Sequence, residues 1–248
     1  MNDMNMILGD IQFPIREATI SGYMIKLDGL NKYGKNEDPG LCWEVIVQTE
    51  EQILFEGTDD EYFTAPRISW GEFSFPAMRR WFDLEGKILS SDMVSRTPSV
   101  PAGAYSYFSE HEAVSNSTLK FVKRSGNKFV IHWEGICDPL MGESYDKGVP
   151  FLIQTEAVFK QIGIMANQSD TDATTLERLS KYLDPADFIQ HPIKETVRDF
   201  PVENRFGIID PLLRWAFGGS DTQRVVFRDS IFEPRPASEI HNSKDNNF

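Results

Sequence analysis

The sequence predicts a mainly β protein, a β-sandwich or strongly twisted antiparallel sheets, with a short helical C-terminal segment. Three observations carry this. Apolar residues alternate with polar ones at Trp43, Val45 and Val47, and again at Phe129, Ile131 and Trp133. A turn sequence, Arg124-Ser125-Gly126-Asn127, lies between two such alternating runs. A helical period appears only after residue 166, at Leu176, Leu179 and Leu183.

The elements follow in order. Ile15 to Leu27 has β-branched residues at alternating positions and no helical period, so it reads as a strand. Trp43 to Val47 reads as a half-buried strand. Ile53-Leu54-Phe55 follows it across Thr49-Glu50-Glu51-Gln52 and is expected to be its hairpin partner. Tyr62 to Phe75 looks extended, broken at Pro66, because proline has no N–H for an interior ladder. Pro76 to Leu84 is expected to form a short helix with Pro76 in its first turn, and Lys87 to Val94 a returning strand. Thr118 to Gly135 is the clearest hairpin, with Leu119 and Phe121 facing the core from one arm and Phe129, Ile131 and Trp133 from the other. Phe151 to Met165 is a long strand with a bend expected near Gly163.

A helix is expected over Thr174 to Leu183, with Thr174 and Glu177 at capping-box spacing. A second short helix is expected after Asp210-Pro211, stopped by Gly218-Gly219. Arg224 to Phe227 returns to a sheet. These readings give a mainly β domain over residues 1–165, with a sub-boundary near 97–104 in the proline-rich TPSVPAGA. Residues 166–232 are a mixed segment with short helices packed on that domain, and 233–248 a flexible tail.

Composition bounds the function. The 248 residues carry 38 acidic and 25 basic side chains, for a net charge of −13. That balance lacks the basic footprint of a nucleic-acid binder and disfavours docking on anionic lipid. No apolar run is long enough to span a membrane. The first ten residues lack the basic and apolar regions of a secretory leader, so a cytoplasmic location is expected. Cys42 and Cys137 are the only cysteines and are expected to be reduced structural thiols.

Charge distribution is the most unusual feature. Residues 37–61 contain nine acids and no Lys or Arg. Glu50, Glu51, Asp59, Asp60 and Glu61 form its densest part. Their field, screened over roughly 8 Å at physiological salt, attracts a basic protein and speeds encounter. The plain alternative is a solvated hairpin whose charges discourage edge-to-edge aggregation.

Catalytic signals are weak. His132 and Glu134 share one face of a strand, opposite Ile131 and Trp133. Two such groups can serve as an acid/base pair, and His111, between Glu110 and Glu112, is a third candidate. More often such residues line the polar face of a sheet. No phosphate-binding glycine loop, nucleophile elbow, zinc-protease motif or C-x-x-C occurs, so no metal and no cofactor is expected. Trp70, Arg79, Arg80 and Trp81 belong to an aromatic–arginine cluster that serves either as core or as an exposed binding patch. Lys120, Lys123, Arg124 and Lys128 make the one basic hairpin.

The leading expectation is a non-catalytic interaction protein that meets a basic partner through the acidic hairpin. The alternatives are a hydrolase or carbohydrate-active enzyme built on His132, Glu134 and an aromatic cleft, and a structural component of an oligomeric assembly. Oligomeric state is open.

Overall fold

Alternation becomes strand along most of the chain. The computed structural model describes residues 4–24, 40–54, 57, 61–75, 77–91, 103–108, 111–137, 148–201, 222–236 and 239. The strands are β1 (Asn5–Leu8), β2 (Ile11–Met24), β3 (Cys42–Thr49), β4 (Gln52–Leu54), β5 (Tyr62–Thr64), β6 (Arg67–Phe73), β7 (Ile88–Ser91) and β8 (Gly103–Tyr107). They continue with β9 (His111–Ala113), β10 (Ser115–Ser125), β11 (Lys128–Cys137), β12 (Val149–Met165), β13 (Phe188–Gln190), β14 (Lys194–Pro201) and β15 (Thr222–Pro234). One α-helix, α1, spans Asp172–Ser180.

All but β4 and β5 join a 13-stranded sheet whose main path runs β7-β10-β11-β12-β1-β2-β3-β6-β8-β9. The pairings are antiparallel except that β12 also runs parallel to β2 beyond the end of the short β1. The sheet curls until it nearly closes into a barrel. Its closing point is legible in the chain itself. β9 lies at one end of the path and β10 next to the other, yet only Val114 separates them. The Val114 N–H donates to the Ala104 carbonyl at 3.0 Å, so the start of β10 lies against β8. Asn116 turns this corner with φ +47, a left-handed conformation that asparagine accepts more readily than most residues.

Curling brings the two halves of the sheet face to face over an aromatic core. Trp70 of β6 meets Trp133 of β11 at 6.1 Å between centroids, Trp43 of β3 meets Phe159 of β12 at 5.7 Å, and Phe73 meets Phe121 at 6.3 Å. The β10–β11 hairpin has Leu119 opposite Trp133 and Phe121 opposite Ile131, all fully buried. Gly126 turns it with φ +61. Cys42 is partly exposed at the start of β3 and Cys137 is buried at the end of β11.

Several local expectations are corrected. Ile53 and Leu54 do not pair with β3; Phe55 lies outside the described residues. The Glu50 N–H donates to the Pro14 carbonyl at 2.8 Å, so the chain is still held against β2 where the hairpin would have turned back. β3 is paired on both sides, with β2 and β6, and β4 pairs β5 in a separate ribbon. The run before Leu84 yields only a 3-10 turn over Trp81–Leu84. The register of β12 against β2 shifts between Phe159 and Gln161.

Helix α1 starts two residues earlier than expected and ends at Ser180 rather than Leu183. Thr171 is its N-cap, its Oγ1 accepts from the Thr174 N–H, and Thr174 Oγ1 accepts from the Thr171 N–H. Segment 166–201 is therefore partly helical, but β15 returns to pair with β12, β13 and β14. The expected helix after Asp210, most of the 97–104 boundary and most of the tail lie outside the described residues.

Candidate functional site

Short connections at residues 50–51 and 65–66 leave β4 and β5 as a ribbon outside the main sheet. Gln52 lies opposite Thr64, Ile53 opposite Phe63, and Leu54 opposite Tyr62. Its base is anchored. Thr64 Oγ1 donates to the Phe108 carbonyl at 3.1 Å, Gln48 Nε2 to the Ala65 carbonyl at 2.8 Å, and Thr49 Oγ1 to the Pro66 carbonyl at 3.0 Å. Thr49 and Thr64 are buried, so these bonds hold the ribbon against the barrel.

Ile53 and Phe63 occupy the same face, because directly opposed residues in an antiparallel pair do so. They are 37% and 67% exposed. Burying a phenylalanine side chain contributes about 1.5–3 kcal/mol, so an exposed Phe63 forgoes most of that gain within the chain. Glu50, Glu51 and Glu61 are exposed around this pair. Glu61 Oε2 accepts from the Gly57 N–H at 2.6 Å, which ties part of the tip together. Asp59 and Asp60 lie outside the described residues. Near the ribbon's root, Met4, Asn5, Gln12, Pro14 and Ile15 line an open cleft of about 460 Å³.

The histidine candidates are spread apart. His132 is half-buried on the outer face of β11, between Lys120 of β10 and Gln154 of β12. Glu134 is exposed on the same face, between Thr118 and Leu152. His111 lies in β9, which pairs only with β8 among the described residues. Neither His132 nor Glu134 lines the cleft at Met4. No group of three His, Cys, Asp or Glu among the described residues is placed to hold a metal ion.

The aromatic–arginine cluster divides. Trp70 and Trp81 are 4% and 1% exposed and belong to the core, where Trp81 stacks on Phe159 at 5.0 Å. Arg80 reaches Asp187, and Arg79 Nη1 donates to the Lys181 carbonyl at 3.1 Å. Arg124 of the basic hairpin lies 5.1 Å from the Phe82 ring. Arg79 and Arg80 therefore join the barrel to the segment after α1.

Phe63 is absent from the sequence-based candidates. Its signal lay in the run Tyr62-Phe63-Thr64, but periodicity alone does not tell which face of a two-stranded ribbon is left uncovered. No helix among the described residues is long and apolar enough to cross a membrane. Comparison with protein-family models, with curated proteins and with solved structures returns no match.

Proposed function

We propose that the protein is a non-catalytic interaction protein, acting in the cytoplasm, that binds a basic protein partner through the β4–β5 ribbon. The Ile53–Phe63 pair carries this reading. It is an apolar centre on a surface rimmed by Glu50, Glu51 and Glu61. Interfaces commonly place an aromatic anchor at the centre and charge at the rim. The net charge of −13 favours a basic partner over nucleic acid.

The test uses the source cell. Full-length protein and a variant with Glu50, Glu51, Asp59 and Asp60 replaced by Gln or Asn are used in parallel to capture partners. A basic protein retained by the wild type and released by salt supports the reading. Identical partner sets and identical salt dependence in the two proteins refute it.

A further inference from the structure

The β10–β11 hairpin presents a surface opposite in charge to the ribbon. Thr118 to Lys128 contains four basic residues and no acid, in a chain of net charge −13. Leu119 and Phe121 are buried, so Lys120 and Val122 point outward. Val122 falls at the register shift between Phe121 and Lys123, where an extra residue leaves the ladder, and it is 56% exposed. Lys120 lies opposite Ile88 of β7, which is 58% exposed. Ile88 is therefore the diagonal neighbour of Val122 on the outer face. Lys123 is exposed beside this pair. Glu156 engages Lys128 at 3.2 Å, whereas Lys120 and Lys123 have no ion-pair partner among the described residues.

The two surfaces match. The ribbon has Ile53 and Phe63 at its centre with Glu50, Glu51 and Glu61 around them, and the hairpin has Ile88 and Val122 with Lys120 and Lys123. Both apolar pairs are exposed, so the surfaces do not cover one another within one chain. Each carries what the other lacks: an apolar centre of similar extent and a rim of opposite sign.

We propose that the ribbon's partner is the β10–β11 hairpin of a second copy of this chain, docked head to tail. This rests on the reading of the ribbon as a binding surface and names what it binds. The ribbon requires a basic surface, not a partner that is basic as a whole. Net charge opposes the approach of two copies, but at physiological salt that repulsion is screened over roughly 8 Å. The facing rims act in contact, where screening is least complete. After one such contact each end of the pair keeps a free ribbon or a free hairpin. Assembly therefore continues past the dimer unless it closes into a ring.

Sedimentation of the purified full chain tests this, from about 5 μM to about 500 μM, the range in which weak contacts saturate. The average mass of the wild type should rise with concentration beyond that of a dimer. A ribbon variant (Glu50→Gln, Glu51→Gln, Phe63→Ala) and a hairpin variant (Lys120→Gln, Lys123→Gln, Val122→Ser) should each remain monomeric alone. Mixed, they should form a 1:1 dimer and nothing larger, because each supplies the surface that the other has lost. Recovery in the mixture also shows that both variants are folded, which circular dichroism checks separately. A wild type that stays monomeric throughout overturns the inference. So does a mixture that stays monomeric while circular dichroism shows both variants folded. The ribbon reading survives either result if the source cell yields a different basic protein that the wild type captures and the ribbon variant does not. It fails together with the inference if no such protein is captured.

Discussion

Arg80 and Asp187 form a two-pronged ion pair across 107 residues of sequence. Arg80 Nε–H donates to Asp187 Oδ2 at 2.8 Å, and a second bond runs from Nη2 to Oδ1. The Asp187 side chain is 1% exposed and that of Arg80 is 23% exposed. The hydrogen-bonded carboxylate raises the Arg80 pKa above its ordinary value, against a desolvation that lowers it. The Asp184 N–H donates to the Arg79 carbonyl at 2.8 Å beside the pair, and the Arg235 N–H to the Asp187 carbonyl at 2.9 Å. The turn after α1 and the end of β15 are therefore fastened to the barrel at one point.

Asp187→Ala should destabilise the protein by about 3–5 kcal/mol, because it strands a guanidinium beside a buried site. Arg80→Met with Asp187→Leu should cost less than the sum of the single changes, since neither charge is then left unpaired. Urea midpoints of the wild type, Asp187→Ala, Arg80→Met, Asp187→Leu and the double variant measure this. A loss below about 1 kcal/mol in Asp187→Ala would place the pair in the class of exposed bridges.

Trp133 gives a second stability test. It is fully buried, and its Nε1–H donates to Ser117 Oγ at 2.9 Å. Trp133→Ala should cost about 3–5 kcal/mol through the cavity it opens. Ser117→Ala should cost about 1–3 kcal/mol, because it leaves the indole N–H without an acceptor. Equal midpoints for wild type and Trp133→Ala would mean that the β11 faces are exchanged.

The β10–β11 hairpin was readable because alternation and turn chemistry are local. Phe129, Ile131 and Trp133 are buried while His132 and Glu134 face outward, as that pattern requires. The pairing of β4 with β5 was not readable. It depends on the Pro14 and Pro66 carbonyls taking the Glu50 and Thr49 N–H groups, and those contacts are remote in sequence. The Arg80–Asp187 pair is equally invisible, since nothing in the order of residues brings positions 80 and 187 together. Glu44 sits at a polar position of the Trp43–Val47 alternation, and only its half-buried position next to the strand of Arg67 marks it.

Glu44 should make stability depend on pH in the direction opposite to a salt-bridged acid. Burial raises its pKa above 4.5, and Arg67 opposes that rise only in part. The folded state therefore binds this proton more tightly than the unfolded state. The contribution is complete below the unfolded value, and it is lost as pH rises through the folded one. Glu44→Gln should consequently stabilise the protein slightly at neutral pH and have no effect below the ordinary carboxylate range. Denaturation of both proteins across that range checks it. A variant less stable at neutral pH would show that the Arg67 attraction outweighs burial.

Phe63 and the acids around it should act on different rates. Charge on a rim works at a distance, so its main effect is on encounter. An apolar anchor works only in contact, so its effect is on dissociation. With the partner in hand, replacing Glu50 and Glu51 by Gln should slow association, and added salt should slow the wild type toward that variant. Phe63→Ala should leave association and its salt dependence nearly unchanged while dissociation speeds by roughly 30-fold or more, the equivalent of a hot-spot loss of about 2 kcal/mol. Stability should barely move, because Phe63 is already 67% exposed in the folded chain. Surface plasmon resonance at two salt concentrations separates the effects. If Phe63→Ala binds and releases like the wild type, the apolar pair is no anchor. The ribbon's acids would then have to account for any partner binding by charge alone.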